Sequence, residues 1–288
     1  MYAITGATGQ VGSATADRLL AAGAPVRVVA RDAAKAAPWA DRGAEVAVAD
    51  LGDRAGLGAA LAGSDGAFVL LPFDLAASDF HAQARAQVEA IAGAVADSGV
   101  PHVVALSSIG AQLADGTGPI VALHHLEEAL RGTGTVVSAV RACHFQESVA
   151  EVLEPARAEG ILPVFADSAD EARPMVATRD VGGVIASCLQ APPSANEVID
   201  VEGPDYTDRQ IAEVLGRLLG RDLEVVIIPR ADWVDALVGA GFPAHLAEVL
   251  VGLYEAGARG ILTPEGDRIV HGTTPLETTL AGLVGVPA

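Results

Sequence analysis

Thr5-Gly6-Ala7-Thr8-Gly9-Gln10-Val11-Gly12 places glycines at every third position directly after the apolar run Tyr2–Thr5. A loop of this kind holds phosphates. Gly6 lets the chain leave a strand in a tight turn, Gly9 removes a side chain that would block a pyrophosphate, and Gly12 lets the next helix pack close to the sheet. That helix points free N–H groups and the positive end of its dipole at the phosphates. The candidate contacts are Gly6, Thr8, Gly9, Gln10, Val11 and Gly12. With a strand before it, a helix after it and a second strand beyond, the loop reads as a dinucleotide-binding element.

The end of the second strand selects the dinucleotide, because an acidic residue there takes a ribose 2′-hydroxyl whereas an Arg accommodates a 2′-phosphate. Val26-Arg27-Val28-Val29-Ala30 ends in Arg31, and Lys35 follows one helical turn later. NADP(H) is therefore the expected cofactor and NAD(H) the less favoured one, with Asp32 the residue that would take the hydroxyl. Asp50 and Leu51 are expected beside the adenine, and Leu71, Pro72 and Phe73 on the adenosine side of the cleft.

Hydride transfer asks the protein for an oriented acceptor and a donor to the atom that gains charge. Ser107 and Ser108 end the fifth strand, where side chains meet the ligand crevice. His124, with His125 beside it, has the titration range of a proton donor. His144 and Phe145 follow the sixth strand and are candidates for the substrate pocket. Each has a plainer reading as strand-end turn, ordinary helix histidine or packing residue. Lys35 is the only lysine and the tyrosines are Tyr2, Tyr206 and Tyr254, so no Tyr-x-x-x-Lys pair can be written. The two cysteines, Cys143 and Cys188, have no metal-binding spacing and read as buried free thiols, so no metal is expected.

These residues require a scaffold of strands alternating with helices. Strands are expected at Tyr2–Thr5, Val26–Ala30, Glu45–Val48, Ala67–Leu71, His102–Leu106 and Val136–Val140. Helices are expected at about Val11–Ala22, Ala33–Ala40, Ala55–Leu61, Ser78–Asp97 and Ile120–Arg131. The alternation predicts an α/β fold, a Rossmann-type doubly wound parallel sheet. Beyond residue 155 the rhythm changes to helices with isolated strands, which predicts a smaller α-rich C-terminal substrate lobe. The expected division is a Rossmann domain over 1–155, with a contribution from about 178–201, and a lobe from 156–177 and 202–288. Helix Ala244–Tyr254 reads as a packing element or a subunit contact, and a homodimer is compatible with it.

The chain has 288 residues, 18 basic and 37 acidic, for a net charge of −19. That charge repels nucleic acid over most of the surface, and no Lys/Arg cluster makes a local exception. Apolar stretches break well short of the ~18–20 residues a membrane span needs. No secretion signal opens the chain, so a cytoplasmic protein with a small-molecule substrate is expected.

Gly-Ala-Thr-Gly-Gln-Val-Gly at the start, Val-Val-Ala-Arg-Asp after the second strand, Val-Ala-Asp-Leu at 48–51 and Ala-Leu-Ser-Ser-Ile-Gly at 105–110 together resemble the NmrA-like family. This is an atypical branch of the short-chain dehydrogenase superfamily. Within it the chain looks most similar to NADPH-dependent quinone oxidoreductases of type 2. Many relatives place a Lys or His four residues before a Glu on the helix after the fifth strand. Ungapped counting pairs Leu123 with Glu127; a shifted register pairs His124 with Glu128. Arg141-Ala142 also stands where Arg-Pro is usual.

The resemblance implies an NADP(H)-dependent oxidoreductase acting on a small conjugated carbonyl or quinone. Two other readings stay open. One is an NADP(H)-binding redox sensor with a protein partner and no turnover. The other is a biosynthetic enzyme using the fold for non-redox chemistry.

Overall fold

The computed structural model describes residues 1–73 and 77–285. The strands are β1 Tyr2–Thr5, β2 Val26–Ala30, β3 Glu45–Val48, β4 Gly66–Val69, β5 His102–Ser108, β6 Val136–Ala142, β7 His144–Phe145, β8 Ile161–Val164, β9 Arg173–Val176, β10 Glu197–Glu202, β11 Asp205–Tyr206, β12 Glu224–Ile227 and β13 Arg268–His271. The α-helices are α1 Gln10–Ala21, α2 Ala33–Ala40, α3 Arg54–Leu61, α4 Phe80–Ser98, α5 Ile120–Arg131, α6 Leu153–Ala158, α7 Thr178–Gln190, α8 Asp208–Leu219, α9 Trp233–Gly239, α10 Ala244–Ala258 and α11 Leu276–Val284.

Eight strands form one parallel sheet in the order β3-β2-β1-β4-β5-β6-β10-β13. Both faces are buried, so apolar residues run continuously along each strand and serve the two faces alternately. On β4, Ala67 and Val69 join one core with Leu57, Ile91 and Leu126 of α3, α4 and α5, while Phe68 joins the other with Leu19 of α1 and Ile185 of α7. Gly182 lets α7 lie close on α1, since a methyl there would reach Ala14 Cβ at 2.6 Å. This is the expected Rossmann-type α/β sheet. The chain runs outward from β1 to β3, returns, and runs outward again from β4. The switch point between β1 and β4 is where such sheets open a ligand crevice at their carboxyl edge.

Three of the six leading strands end elsewhere than the sequence reading has them, and one strand is new. β4 stops at Val69, which leaves Leu70 to Phe73 as its exit loop. β5 and β6 each run two residues further than expected, to Ser108 and Ala142, because the two strands pair through to their ends. β13 was not anticipated; it is a mostly exposed edge strand from residues assigned to the lobe, paired with β10.

A separate apolar cluster, with Val149, Leu162, Met175, Ile211, Leu215 and Leu280, gathers the chain beyond the crevice. It is flanked by the pair β8-β12 and the small sheet β11-β9-β7. The capping box between Thr207 and Gln210 starts α8 as its sequence suggests.

Candidate functional site

The glycine loop leaves β1 at the switch point. Gly6 takes a φ of +62°, and the Gly9 N–H donates to its carbonyl at 2.9 Å, closing the turn. A methyl on Gly6 would come within 2.5 Å of Leu70 Cδ2, and one on Gly12 would land on the Gly6 carbonyl. Only glycine lets the loop, the β4 exit and α1 approach this closely. Gly9 is the N-cap of α1 and offers no side chain, and the first turn carries no acidic residue. Thr8, Gly9 and Gln10 are exposed while Val11 and Gly12 are buried. The result is a helix N-terminus with open N–H groups and no competing anion, which fits a pyrophosphate.

At the ends of β2 and β3 the acidic and basic side chains divide their roles. Asp32 accepts the Ala34 N–H at 2.8 Å as the N-cap of α2, so its carboxylate is occupied locally. Arg31 and Lys35 are exposed and have no hydrogen-bond or ion-pair partner among the described residues. Asp50 is exposed and turns back on the Gly52 N–H at 2.8 Å, and Leu51 packs on the core. Of the residues expected after the fourth strand, Leu71 is a core side chain. Pro72 is half-buried, and Phe73 is exposed with its ring 5.3 Å from Phe80.

The two serines at the end of β5 part ways. Ser107 is buried and donates to Glu127 Oε1 at 2.6 Å. Ser108 is half-buried and donates to the Ile109 carbonyl at 3.0 Å. Glu127 is the hub of a buried network: Arg141 donates through Nε to Oε1 at 2.9 Å and through Nη2 to Oε2 at 2.7 Å, and Arg131 Nη2 reaches Oε2 at 2.8 Å. Burial pushes the Glu127 carboxyl upward, but hydrogen bonds from Arg141 and Ser107 and the charges of Arg141 and Arg131 outweigh it and hold the group below its ordinary range. Glu128 is exposed and pairs with Arg131. The structure thus selects Glu127 over Glu128 as the buried carboxylate of α5, and puts the core side chain Leu123 four residues before it.

His124 is half-buried on α5 with Nδ1 2.9 Å from the Ala111 carbonyl. A carbonyl only accepts, so Nδ1 carries the proton and Nε2 is the free ring atom. His125 is exposed with its ring 5.5 Å away. His144 and Phe145 form β7 beside Met175 and Val176 of β9. His144 is exposed on β7. Desolvation, with the Arg173 charge adding and Asp208 opposing, pushes its imidazole down to about 4. Cys188 is buried; Cys143 is only half-buried, its thiol pushed up to about 12 chiefly by desolvation. Among the described residues no cluster could hold a metal ion and no helix is long and apolar enough to cross a membrane.

Helix α10 packs on the segments that follow β4 and β5. At its start His245 Nε2 lies 2.7 Å from the Ala77 carbonyl, beyond β4. In its middle it presses on Gly118, where a methyl would meet the Leu253 nitrogen at 2.6 Å, and past its end Arg259 donates to the Gly116 carbonyl at 2.6 Å. Its sequence showed only apolar periodicity, which marks a packed helix without saying on what.

The glycine loop thus fits a pyrophosphate, and beyond β2 two exposed cations have no partner among the described residues. Residues 2–260 match the NmrA-like family. The chain belongs to this family. Among NmrA-like relatives, it is 30% identical over 269 residues to a (4-alkanoyl-5-oxo-2,5-dihydrofuran-3-yl)methyl phosphate reductase of Streptomyces griseus, covering 92% of this chain and 90% of that one. Quinone oxidoreductase 2 of Escherichia coli is 28% identical over 297 positions, covering 99% of both chains. The structure of that enzyme complexed with NADPH superposes with a TM-score of 0.76 and 25% identity over 100% of this chain and 95% of that one. Citrobacter sp. triphenylmethane reductase, solved with NADP(H), shares the fold with a TM-score of 0.81 at 22% identity, covering 98% of this chain and 100% of that one.

Proposed function

We propose that this NmrA-like protein is an NADP(H)-dependent reductase of small conjugated carbonyls or quinones. The observation that carries the reading is the division of roles beyond β2: Asp32 is spent on capping α2, while Arg31 and Lys35 stand exposed with no partner among the described residues. Two free cations beside an open helix N-terminus suit a dinucleotide with a third phosphate. The cofactors named for the Escherichia coli and Citrobacter enzymes support the same choice.

Gly6, Thr8, Gly9, Gln10, Val11 and Gly12 would hold the pyrophosphate, Arg31 and Lys35 the 2′-phosphate, and Asp50, Leu51, Pro72 and Phe73 the adenosine side. The chemistry supplied by the bound dinucleotide is hydride transfer. The chain's own residues orient the acceptor and supply a proton. His124 offers Nε2 as a donor in its imidazolium form. Ser108 and His144 flank the acceptor, and the lobe that carries Phe165 and α10 excludes water. Ser107 acts through Glu127 to fix the ends of β5 and β6.

A second reading, an NADP(H)-binding sensor without turnover, draws on Leu123 standing where relatives carry a basic residue and on the engaged Ser107 hydroxyl. Titration with NADPH and NADH by cofactor fluorescence, followed by a panel of quinones and enones, separates the two. Selective NADPH binding with acceptor-dependent loss of the reduced-nicotinamide signal is the expected result. Binding without loss across the panel would leave the sensor.

A further inference from the structure

The crevice has an unassigned hydroxyl. Of the three tyrosines, Tyr2 opens β1 at the amino-terminal edge of the sheet, away from the crevice. The Tyr206 hydroxyl accepts the Leu276 N–H at 3.1 Å. Tyr254 alone stands at the carboxyl edge with a hydroxyl that has no partner among the described residues.

Its ring is held firmly. Phe165 stacks on it at 5.0 Å and 23°, and Trp233 meets it edge-on at 6.0 Å and 88°. Trp233 is itself 1% exposed and tied by its indole N–H to the Ile228 carbonyl at 2.8 Å. Such aromatic contacts fix a side chain's direction as well as its depth. The ring is only half-buried, so the hydroxyl is within reach of solvent or ligand.

The helix that carries the phenol also packs by the correct strand. Tyr254 follows Leu253, whose backbone rests on Gly118 in the segment between β5 and α5. Glu151, on the segment Gln146–Val152 that follows β7, contributes a charge that the phenol feels. Tyr254 therefore lies on the helix that packs against the segment leaving β5. In a dinucleotide-binding sheet, the mononucleotide half beyond the switch point includes this strand.

Resting on the reductase reading, we propose that Tyr254 is the hydrogen-bond donor that holds and polarises the acceptor's oxygen, with Phe165 as the apolar surface beside it. The substrate class is a flat conjugated carbonyl. Burial and the Glu151 charge push the phenol up to about 12, so the hydroxyl keeps its proton and acts by donating a hydrogen bond. A preorganised hydrogen-bond donor to developing negative charge is worth about 10²-fold to 10³-fold in rate.

Tyr254→Phe removes the hydroxyl and keeps the ring in its stack. With 1,4-naphthoquinone as acceptor, kcat/KM is expected to fall by about 10²-fold while NADPH affinity and the melting temperature stay unchanged. A fall of less than about tenfold overturns the proposal.

Trp233 supplies a readout independent of turnover, taken in a Trp39→Phe background with saturating NADP+. Naphthoquinone should quench Trp233, and Tyr254→Phe should weaken that binding by about fivefold, the worth of one hydrogen bond. If the wild-type protein consumes no NADPH, the reductase reading falls by itself. Tyr254 is then judged on quenching: weaker quinone binding in Tyr254→Phe sustains it as an oxygen ligand, and equal binding in both proteins overturns it.

Discussion

Ser107 and Arg141 are register partners on β5 and β6, and both donate to the same carboxylate oxygen, Glu127 Oε1, at 2.6 and 2.9 Å. One carboxylate from α5 thereby clamps the ends of the two strands that form the floor of the crevice. The network extends outward: Arg141 Nη1 lies 3.4 Å from Gln112 Oε1, and Gln112 Nε2 donates to the Thr263 carbonyl at 3.0 Å. The Gln112 side chain thus ties the backbone of the segment before β13 to Arg141 at the end of β6.

Removing the carboxylate strands a buried guanidinium. Glu127→Ala should cost about 3–5 kcal/mol, read as a lowered urea midpoint, with Glu127→Gln costing less. The pH dependence has a defined sign. Because the folded-state carboxyl titrates below its ordinary value of 4.5, its contribution is complete above that pH and is lost as pH falls below it. Wild-type stability should fall more steeply than that of Glu127→Gln on acidification from pH 5 to 3. Parallel curves would remove Glu127 from this role.

Glu127, Ser107 and Arg141 were each visible in the sequence, but their meeting was not. Bringing residues 107, 127 and 141 together depends on the β5–β6 register and on which face of α5 turns inward, and both follow from packing. The six leading strands and the helices between them were legible because both faces of a parallel sheet are buried and each strand reads as an apolar run. β13 was not. Arg268-Ile269-Val270-His271 is short, and three of its four residues are exposed at the sheet edge. Tyr254 was legible only as an apolar helix residue, because its role depends on a stack with Phe165, 89 positions earlier in the chain.

Arg31 and Lys35 are expected to choose between the two dinucleotides. Arg31→Ala should weaken NADPH by roughly 10-fold to 100-fold, the worth of a charge-assisted hydrogen bond, and leave NADH nearly unchanged. Lys35→Ala should act in the same direction and less strongly. Fluorescence titration of the four protein–ligand pairs checks this; equal weakening of both cofactors by Arg31→Ala would remove it as the 2′-phosphate clamp.

Gly9 and Gly12 should separate fold from binding. A methyl at Gly12 lands on the Gly6 carbonyl, so Gly12→Ala should lose about 1–3 kcal/mol of stability and NADPH binding together. At Gly9 the same methyl meets nothing nearer than the Gly6 oxygen at 3.4 Å. Gly9→Ala should therefore fold normally and still lose affinity, because its methyl occupies the phosphate approach. Denaturant midpoints and NADPH titrations on both variants give the comparison, and normal NADPH affinity in Gly9→Ala would move the pyrophosphate elsewhere.

His124 carries the proton-donor assignment, and its geometry makes the assignment testable. The Ala111 carbonyl holds the proton on Nδ1, so the free Nε2 can donate only when the ring is an imidazolium. His124→Ala should lower kcat by about 10²-fold and leave NADPH affinity intact. Ala111 cannot be altered to test the hydrogen bond, since the acceptor is backbone; His124→Asn, which can keep an N–H toward that carbonyl, controls for the loop it anchors. If Asn restores kcat while Ala does not, His124 positions the 109–119 loop and the proton comes from another group. If neither restores it and both bind NADPH normally, the imidazole itself is required.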